Sequence, residues 1–524
     1  MTHSPSDKQM LRSSLIVIIL QMVGVIVAYL REMAVARQFG SRTQVDQYYV
    51  AFTIVTLLPN IVWSVGWASF VPIFMRRWIN DREAAWNIAN IVLSYALLFL
   101  VAGSIVTSTL AETWTRLVAP GLSPEAIDAS RQLLYVLLPV LVLMGINVQL
   151  MAVLNGLKLF GVAALSQVLP SFSSLAAVLT FPAHVGIFSL AWGWMAGSLA
   201  QTVVLLWQCQ RAGYRFQFDL TISRDLREFA SGALTYLLPA SSYLAITLVD
   251  RHYASRLGTG AIAVLNYGDK IFRIPMVVVT TSLFTVSLSY FSEHASAEDF
   301  AKFRESLSVG IRFAAFLLFP IALFMLIFHD PIVSIAYQHG AFTLQDTIRV
   351  AATVVAYAPL VVVHGIWFVL ERSMIALGRM KLLSVISIVM IVAKVLSSAA
   401  LYRQLGVPGL VISTVVTFLI ALIAMYWVIL KQFGRSASRS EVASIGSLLP
   451  ALAGSGLVGL ALRGLLARDG WTPVNFLNSA LILGIAGSGA IVTFLLLAFA
   501  IRNPELVLLG RWLHSRVMRE KEAV

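Results

Sequence analysis

This sequence has little charge and almost no cysteine. Only 12% of its 524 residues are charged and 59% are hydrophobic, where a typical soluble domain has about 25% and roughly 45–50%. Too little polar surface remains to coat a soluble particle of this size. A single cysteine, Cys209, excludes an intrachain disulfide framework and a cysteine-based metal site. It reads as a small packed apolar side chain. Acidic residues are scarcer than basic ones, 25 against 38, giving a net charge of +13. Such a balance can signal nucleic acid, but that needs a basic soluble domain, and no stretch of this chain reads as one. There is no G-x-x-x-x-G-K-[ST], no H-E-x-x-H and no G-x-S-x-G run, so no ATPase, zincin or serine-hydrolase site is expected. No catalytic residue, cofactor or metal is expected. The first ten residues are polar and the following apolar run lacks an A-x-A site, so no cleavable signal is expected.

What the chain has instead is long apolar runs from end to end, with a mean hydropathy of +0.84. Runs of roughly 20 apolar residues read as transmembrane helices. Fourteen are expected, near residues 13–30, 47–75, 88–109, 132–154, 162–182, 187–209, 231–250, 262–290, 308–328, 347–370, 382–401, 408–430, 443–466 and 475–501. An even number puts both termini on one side. With that side taken as cytoplasmic, the inner segments carry more than twice the Lys and Arg of the outer ones, as the positive-inside rule requires. The expected fold is therefore an all-α polytopic membrane protein with both termini in the cytoplasm. Tryptophans such as Trp63, Trp114 and Trp194 read as interfacial belts and packing before any sugar stacking.

An internal repeat organises the runs. "ARQFGSRTQVDQYYVAF" from Ala36 is echoed by "ASRLGTGAIAVLNYGDK" from Ala254. Each precedes a long apolar run with an interior proline, Pro59 or Pro275, that closes on "FVPIF" or "SLSYF". Charged stretches that look like surface helices follow, "NDREAAWN" and "SAEDFAKFRESL". Six runs separate the copies, so they share orientation: two parallel six-helix lobes, 1–225 and 226–430, with two further helices and a basic tail in 431–524. Transporters place substrate at such a repeat interface.

A charge at mid-bilayer costs about 2.5–3.5 kcal/mol, so charges inside apolar runs tend to face a wet cavity. The candidate substrate-binding residues are Arg31, Glu32, Asp46, Asp269, Lys270 and Arg273. In "NYGDKIFRIP", Lys270 and Arg273 are three apart and share a helix face. Arg binds phosphate oxygens in a fork and Lys as a point charge, so this face suits a diphosphate. An intramembrane ion pair from Asp269 to a neighbouring helix, or snorkelling, explains the cluster as well. Arg31 and Glu32 fit a cavity or the outer headgroup boundary. Asp46 fits a cap on the second helix. Arg312, Arg349 and Lys394 lie near run ends and are expected to snorkel. His364 reads as a packing histidine rather than a proton relay.

These motifs resemble the MurJ (MviN) family of lipid II flippases, in the multidrug/oligosaccharidyl-lipid/polysaccharide exporter superfamily. The likeness runs from about Leu11 to Gln432. "LREMAVARQFGSRTQVDQYYVAF" is similar to the family's A-R-D-x-x-x-A-x-x-F-G-x-x-x-x-x-D-A-F-x-x-A-F, with Arg31, Glu32 and Asp46 on its arginine and two acids. "GWASFVPIF", "NYGDKIFRIP", "YQHGAFTLQDT" and "ALGRMKLLSVISI" resemble further family segments, with Lys270 where the family has arginine. Departures stand beside these. Val25 lies near the place of an earlier family arginine, "LLPNIVWSVGW" lacks the arginines that follow P-N, and Arg273 replaces an acid. The resemblance implies a flippase of undecaprenyl-diphosphate-linked saccharide in the bacterial cytoplasmic membrane, working by alternating access. It implies a lipid-linked substrate, membrane lipids, and cell-wall or polysaccharide synthesis proteins as partners. The departures thin the cations and leave the sugar open. A lipid II-like precursor and an exopolysaccharide or O-antigen unit share the same handle. A cation-coupled drug exporter suits an acidic cavity, and this one reads as basic. A glycosyltransferase or polymerase would need a large loop with catalytic acids, which the short loops do not offer.

Overall fold

A computed structural model describes residues 5–65, 69–434 and 436–507. Within them the side chains of 5–18, 64, 65, 183, 236, 240, 278, 280–290 and 436–440 are not described. The basic tail with Arg511, Arg516, Arg519 and Lys521 lies outside the described residues. Every regular element among the described residues is helical. The chain divides into two compact units, Met1–Ala263 and Val264–Val524.

The first unit holds α1 (Pro5–Phe39), α2 (Thr43–Val65), α3 (Val71–Asn80), α4 (Arg82–Thr109), α5 (Ala111–Val118), α6 (Pro124–Gly156), α7 (Phe160–Ser166), α8 (Val168–Thr180), α9 (Phe188–Arg211) and α10 (Arg224–Ala254). α6 is its hub, packing on α2, α4 and α9, while α8 joins α1 to α9. Without a hydrophobic drive between helices in lipid, small residues permit the close packing. A Cβ on Gly193 or Gly197 of α9 would fall 2.6 Å from Ser174 Cα or 2.5 Å from Pro170 Cα of α8. α10 packs on α2, α4 and α5. A bend of 42° separates its residues 224–235 from the helix after 237. Pro239 explains it, since its ring crowds the carbonyl four residues back and offers no N–H.

The second unit contains most of α11 (Ala261–Ser296), then α12 (Phe300–Ile327), α13 (His329–Tyr337), α14 (Leu344–Ala376), α15 (Met380–Phe433), α16 (Ser436–Arg468), α17 (Phe476–Ile482) and α18 (Ser488–Ala500). α14 packs on α12 and α15, and the last helices dock on α12 through α16 and α18. Phe316 meets Phe494 there, beside Leu448 and Ala451. Tyr337 and Phe342 of the "YQHGAF" segment enclose Tyr267, with ring centroids 4.9 and 5.5 Å away.

Eleven described helices are long and apolar enough to cross a membrane, or twelve if the bent α10 pair is one span. With that pair counted, the shortfall from fourteen falls at two places. One is α11, whose 36 residues include the stretch of undescribed side chains. The other is α15, which is two expected runs in one element. Its 54 residues would extend about 80 Å as a single helix, against a hydrocarbon core of roughly 30 Å. Gly406, at φ 63° and ψ −142°, breaks it in a region open essentially to glycine. Lys394 and Ser398 then meet Ser413 at 2.8 and 2.9 Å, a pair of contacts impossible in a straight helix. α15 is a hairpin of two antiparallel helices.

The charged stretches expected as surface helices are instead the starts of α4 and α12. Asp81 and Asp299 accept hydrogen bonds from first-turn N–H groups, Glu83 and Ala84 in one case and Lys302 in the other. A separate short helix, α3, precedes α4. Arg77 grips Asp225 at 2.8 and 3.0 Å, and Arg76 grips Glu228 at 2.9 and 2.7 Å. Those carboxylates hold both guanidiniums above the usual arginine range, the hydrogen bonds contributing most.

Candidate functional site

In the first unit the expected pair on α1 is buried rather than exposed at a headgroup boundary. Arg31 is 8% exposed and Glu32 1%. The Arg31 guanidinium donates to Glu32 Oε1 at 2.5 Å, reaches Ser171 Oγ on α8 at 3.4 Å, and lies 4.8 Å from the centroid of the Trp194 ring on α9. Tyr49 of α2 donates its hydroxyl to Glu32 Oε2 at 2.5 Å. Arg251 of α10 donates to Ile262 O at 3.2 Å and stands 5.5 Å from the Tyr49 ring centroid. Four helices, α1, α2, α8 and α9, thus converge on one carboxylate–guanidinium pair, and α10 stands behind Tyr49. Pairing lowers the cost of placing both charges among apolar helices, and hydrogen bonds from neutral partners offset part of what remains. A guanidinium with one face on an indole and a long contact to a serine is fixed in place yet able to meet an added anion.

Asp46 does something else. It lies in the first turn of α2 and is 1% exposed. Its carboxylate accepts from Gly260 N at 2.6 Å and from Ala263 N at 2.7 Å. Capping was the expectation, but the helix capped is α11, not α2. The two repeat motifs meet at this point. Gly260, at φ 78°, has room only for hydrogen, since a Cβ would lie 2.0 Å from Ser41 O.

In the second unit Asp269 and Arg273 come together on α11 itself. Arg273 Nε donates to Asp269 Oδ2 at 2.6 Å, one helical turn away, so Asp269 is paired within its own helix. Arg273 remains largely exposed and Lys270 is half-buried. Phe272 beside them stacks on Tyr357 of α14 at 5.2 Å. His364 sits among Phe272, Trp367 and Phe418, with centroids 5.9, 5.5 and 4.8 Å away, an aromatic packing environment.

Lys394 overturns an expectation. It does not snorkel, being 0% exposed. Its ammonium donates to Leu410 O at 2.9 Å, Ser413 Oγ at 2.8 Å and Thr414 Oγ1 at 2.7 Å. The hairpin at Gly406 brings these oxygens back to it, so three neutral acceptors do what water would have done. Arg312 finds an acid instead, 3.6 Å from Glu505 Oε1.

Charge-based reading missed Tyr49, Ser171 and Trp194 as members of the first site. The available signal for Tyr49 was a hydroxyl in the apolar stretch just after Asp46. For Trp194 and Ser171 no spacing ties α8 or α9 to α1. Among the described residues no group of three or more His, Cys, Asp or Glu is placed to hold a metal ion.

The family model described as lipid II flippase MurJ matches residues 35–481. A probable lipid II flippase MurJ of Bdellovibrio bacteriovorus is 27% identical over 474 residues, 87% of this chain and 90% of that protein. Another, from Synechocystis sp., is 24% identical over 543 aligned positions, covering 96% and 97%. Among solved structures, lipid II flippase MurJ in an inward closed conformation superposes with a TM-score of 0.77 at 19% identity, covering 94% of this chain and all of that one. An inward-facing multidrug resistance MATE family transporter of the MOP superfamily follows at 0.66 and 15%, covering 80% and 99%. At such identities the two structures establish the fold alone. The family match spans most of the sequence, and this multi-pass membrane chain belongs to the lipid II flippase MurJ family.

Proposed function

We propose that the protein moves undecaprenyl-diphosphate-linked saccharide of the lipid II class from the inner to the outer leaflet of the bacterial cytoplasmic membrane. The observation that carries this is the family match through residues 35–481. The buried Arg31, fixed against Trp194, supplies a cation for the diphosphate in the first unit, and Lys270 and Arg273 supply others in the second. Glu32 orients Arg31, and Asp269 orients Arg273. The six-helix repeat supports alternating access by two lobes, 1–225 and 226–430, with both termini cytoplasmic. Exporting two negative charges from a negative interior is favoured by roughly 4–5 kcal/mol at about 100 mV, so the membrane potential can drive the step without catalysis or nucleotide on this chain. Cell-wall synthesis proteins are the partners this role implies. The test is reconstitution in liposomes with labelled lipid-linked saccharide. Protein-dependent movement that falls in Arg31→Ala and Lys270→Ala is expected. Movement indifferent to both variants would refute the cation roles, and no protein-dependent movement would refute the function.

A second reading keeps the handle and changes the sugar to an exopolysaccharide or O-antigen unit. Its support is the thin cation set, in which Arg31 and Arg273 already carry acidic partners. Complementation of a strain depleted of its essential lipid II flippase separates the two. Growth with restored lipid II exposure selects lipid II, and failure with good surface expression selects the other saccharide.

A further inference from the structure

The first unit holds a half-open cavity of about 180 Å³ away from the charged pair. Its wall includes Asn60 and Trp63 of α2, Asn147 of α6, Gln167 beside α8, and Trp194 and Gln201 of α9. Four amides and two indoles around one hole in an apolar helix bundle need an explanation. Burying an amide without a partner costs free energy that folding rarely tolerates. Two polar atoms here are buried with no partner, Asn147 Oδ1 and Trp194 Nε1. Asn147 is 2% exposed. Its orientation is set by its Nδ2, which donates to Ser198 O at 3.2 Å and Gln201 Oε1 at 3.1 Å, so the Oδ1 is left as an open acceptor. The Gln201 Nε2 reaches only Met151 Sδ, at 3.9 Å, a weak acceptor. The cavity therefore offers one acceptor and two donors beside aromatic faces.

The size limits what can enter. About 180 Å³ is the volume of about six waters at roughly 30 Å³ each, and a drug-sized ligand takes a pocket of roughly 300 Å³ or more. One pyranose ring fills it, and further sugars would continue through its open mouth. A sugar hydroxyl or acetamido N–H would donate to Asn147, and ring or acetyl oxygens would accept from Trp194 and Gln201. The same indole carries Arg31 4.8 Å from its centroid. In a glycosyl diphosphate the phosphate is bonded directly to the anomeric carbon of the first sugar. A cation and a ring-sized polar cavity sharing one tryptophan match that connectivity.

We propose that this cavity is the subsite for the first, phosphate-linked sugar ring of the transported lipid, read by Asn147, Trp194 and Gln201. It rests on the flippase reading above and specifies which part of the substrate is recognised and where. The experiment uses the full chain in nanodiscs and measures affinity for undecaprenyl diphosphate and for undecaprenyl-diphosphate-N-acetylglucosamine. Asn147→Ala and Gln201→Leu are compared with wild type, the second nearly keeping the side-chain size while removing the amide, and both leave Arg31 and Trp194 in place. Each variant is expected to lose about tenfold in affinity for the sugar-bearing lipid, the worth of one or two hydrogen bonds, with affinity for the bare diphosphate within about twofold. Equal losses for both lipids, or no loss in either variant, would overturn the subsite and leave a water-filled cavity. Wild type binding both lipids equally would overturn it while leaving the flippase reading intact. Wild type binding neither would overturn both.

Discussion

Asp46 separates a structural role from a substrate role with one substitution. The carboxylate holds the N–H groups of Gly260 and Ala263 at 2.6 and 2.7 Å while 1% exposed. Asp46→Ala strands both donors. An orphaned buried donor costs about 1–3 kcal/mol, and ordinary N-cap losses run about 0.5–2 kcal/mol. With two charge-assisted bonds at one helix start, a cost near 3 kcal/mol follows, on the order of a hundredfold in the local opening equilibrium. Asp46→Asn keeps one carbonyl oxygen and turns an NH2 toward the other donor, so about half that loss remains, together with the loss of negative charge at a helix N-terminus. Hydrogen–deuterium exchange across residues 258–265 reads this directly. Exchange should quicken in the order wild type, Asn, Ala, and lipid-linked substrate should slow all three by the same factor. Unchanged exchange in Asp46→Ala with lost substrate binding would show that Asp46 is a ligand and not a cap.

Three further outcomes follow from the same structure. Arg31→Ala leaves the buried Glu32 carboxylate without its cation and should cost about 3–5 kcal/mol, whereas the double variant with Glu32→Ala should recover most of that; thermal unfolding in detergent gives the cycle, and additive losses would show that the pair is not coupled. Lys394→Met removes a buried charge whose acceptors keep local partners, Ser413 and Thr414 both bonding Leu410 O, so its stability should stay within about 1 kcal/mol of wild type. Ser413→Ala with Thr414→Val strips acceptors from the ammonium and should cost about 3 kcal/mol or more; the reverse order would refute the account. Gly260→Ala meets both φ 78° and Ser41 O at 2.0 Å, and should lower the yield of folded protein by more than Gly446→Ala, a site with open space around it; equal yields would refute the close approach.

How much of this was legible beforehand depended on where the deciding partner lay. Hydropathy marked the apolar runs because burial in lipid demands about 20 residues at a stretch, wherever those residues later pack. It also parted the runs at 382–401 and 408–430, between which Gly406 breaks the helix. Which oxygens the returning chain brings to Lys394, those of Leu410, Ser413 and Thr414, it could not give. The capping chemistry of Asp46 was readable from its residue type and place. The identity of the capped helix was not, because the donors lie more than 200 residues away in the other copy of the repeat.

The same distinction explains the site. Helix spacing placed Lys270 and Arg273 on one face, yet Arg273 closes on Asp269 a turn earlier, since an i,i+4 pair within a helix needs no third element to assemble it. Arg31 and Glu32 adjoin in sequence, but what makes them a site is supplied by three other helices, through Tyr49, Ser171 and Trp194. Sequence therefore marks the residues that cannot be left alone in lipid, and packing chooses their partners. Neutral polar residues obey the same logic more quietly. Asn147 and Gln201 carry no charge to draw notice, although an unmet amide inside a helix bundle also requires a partner. With Asn147 Oδ1 unmet inside the protein, the chemistry of that partner can be read from the cavity wall: hydrogen-bonding on one side and aromatic on another.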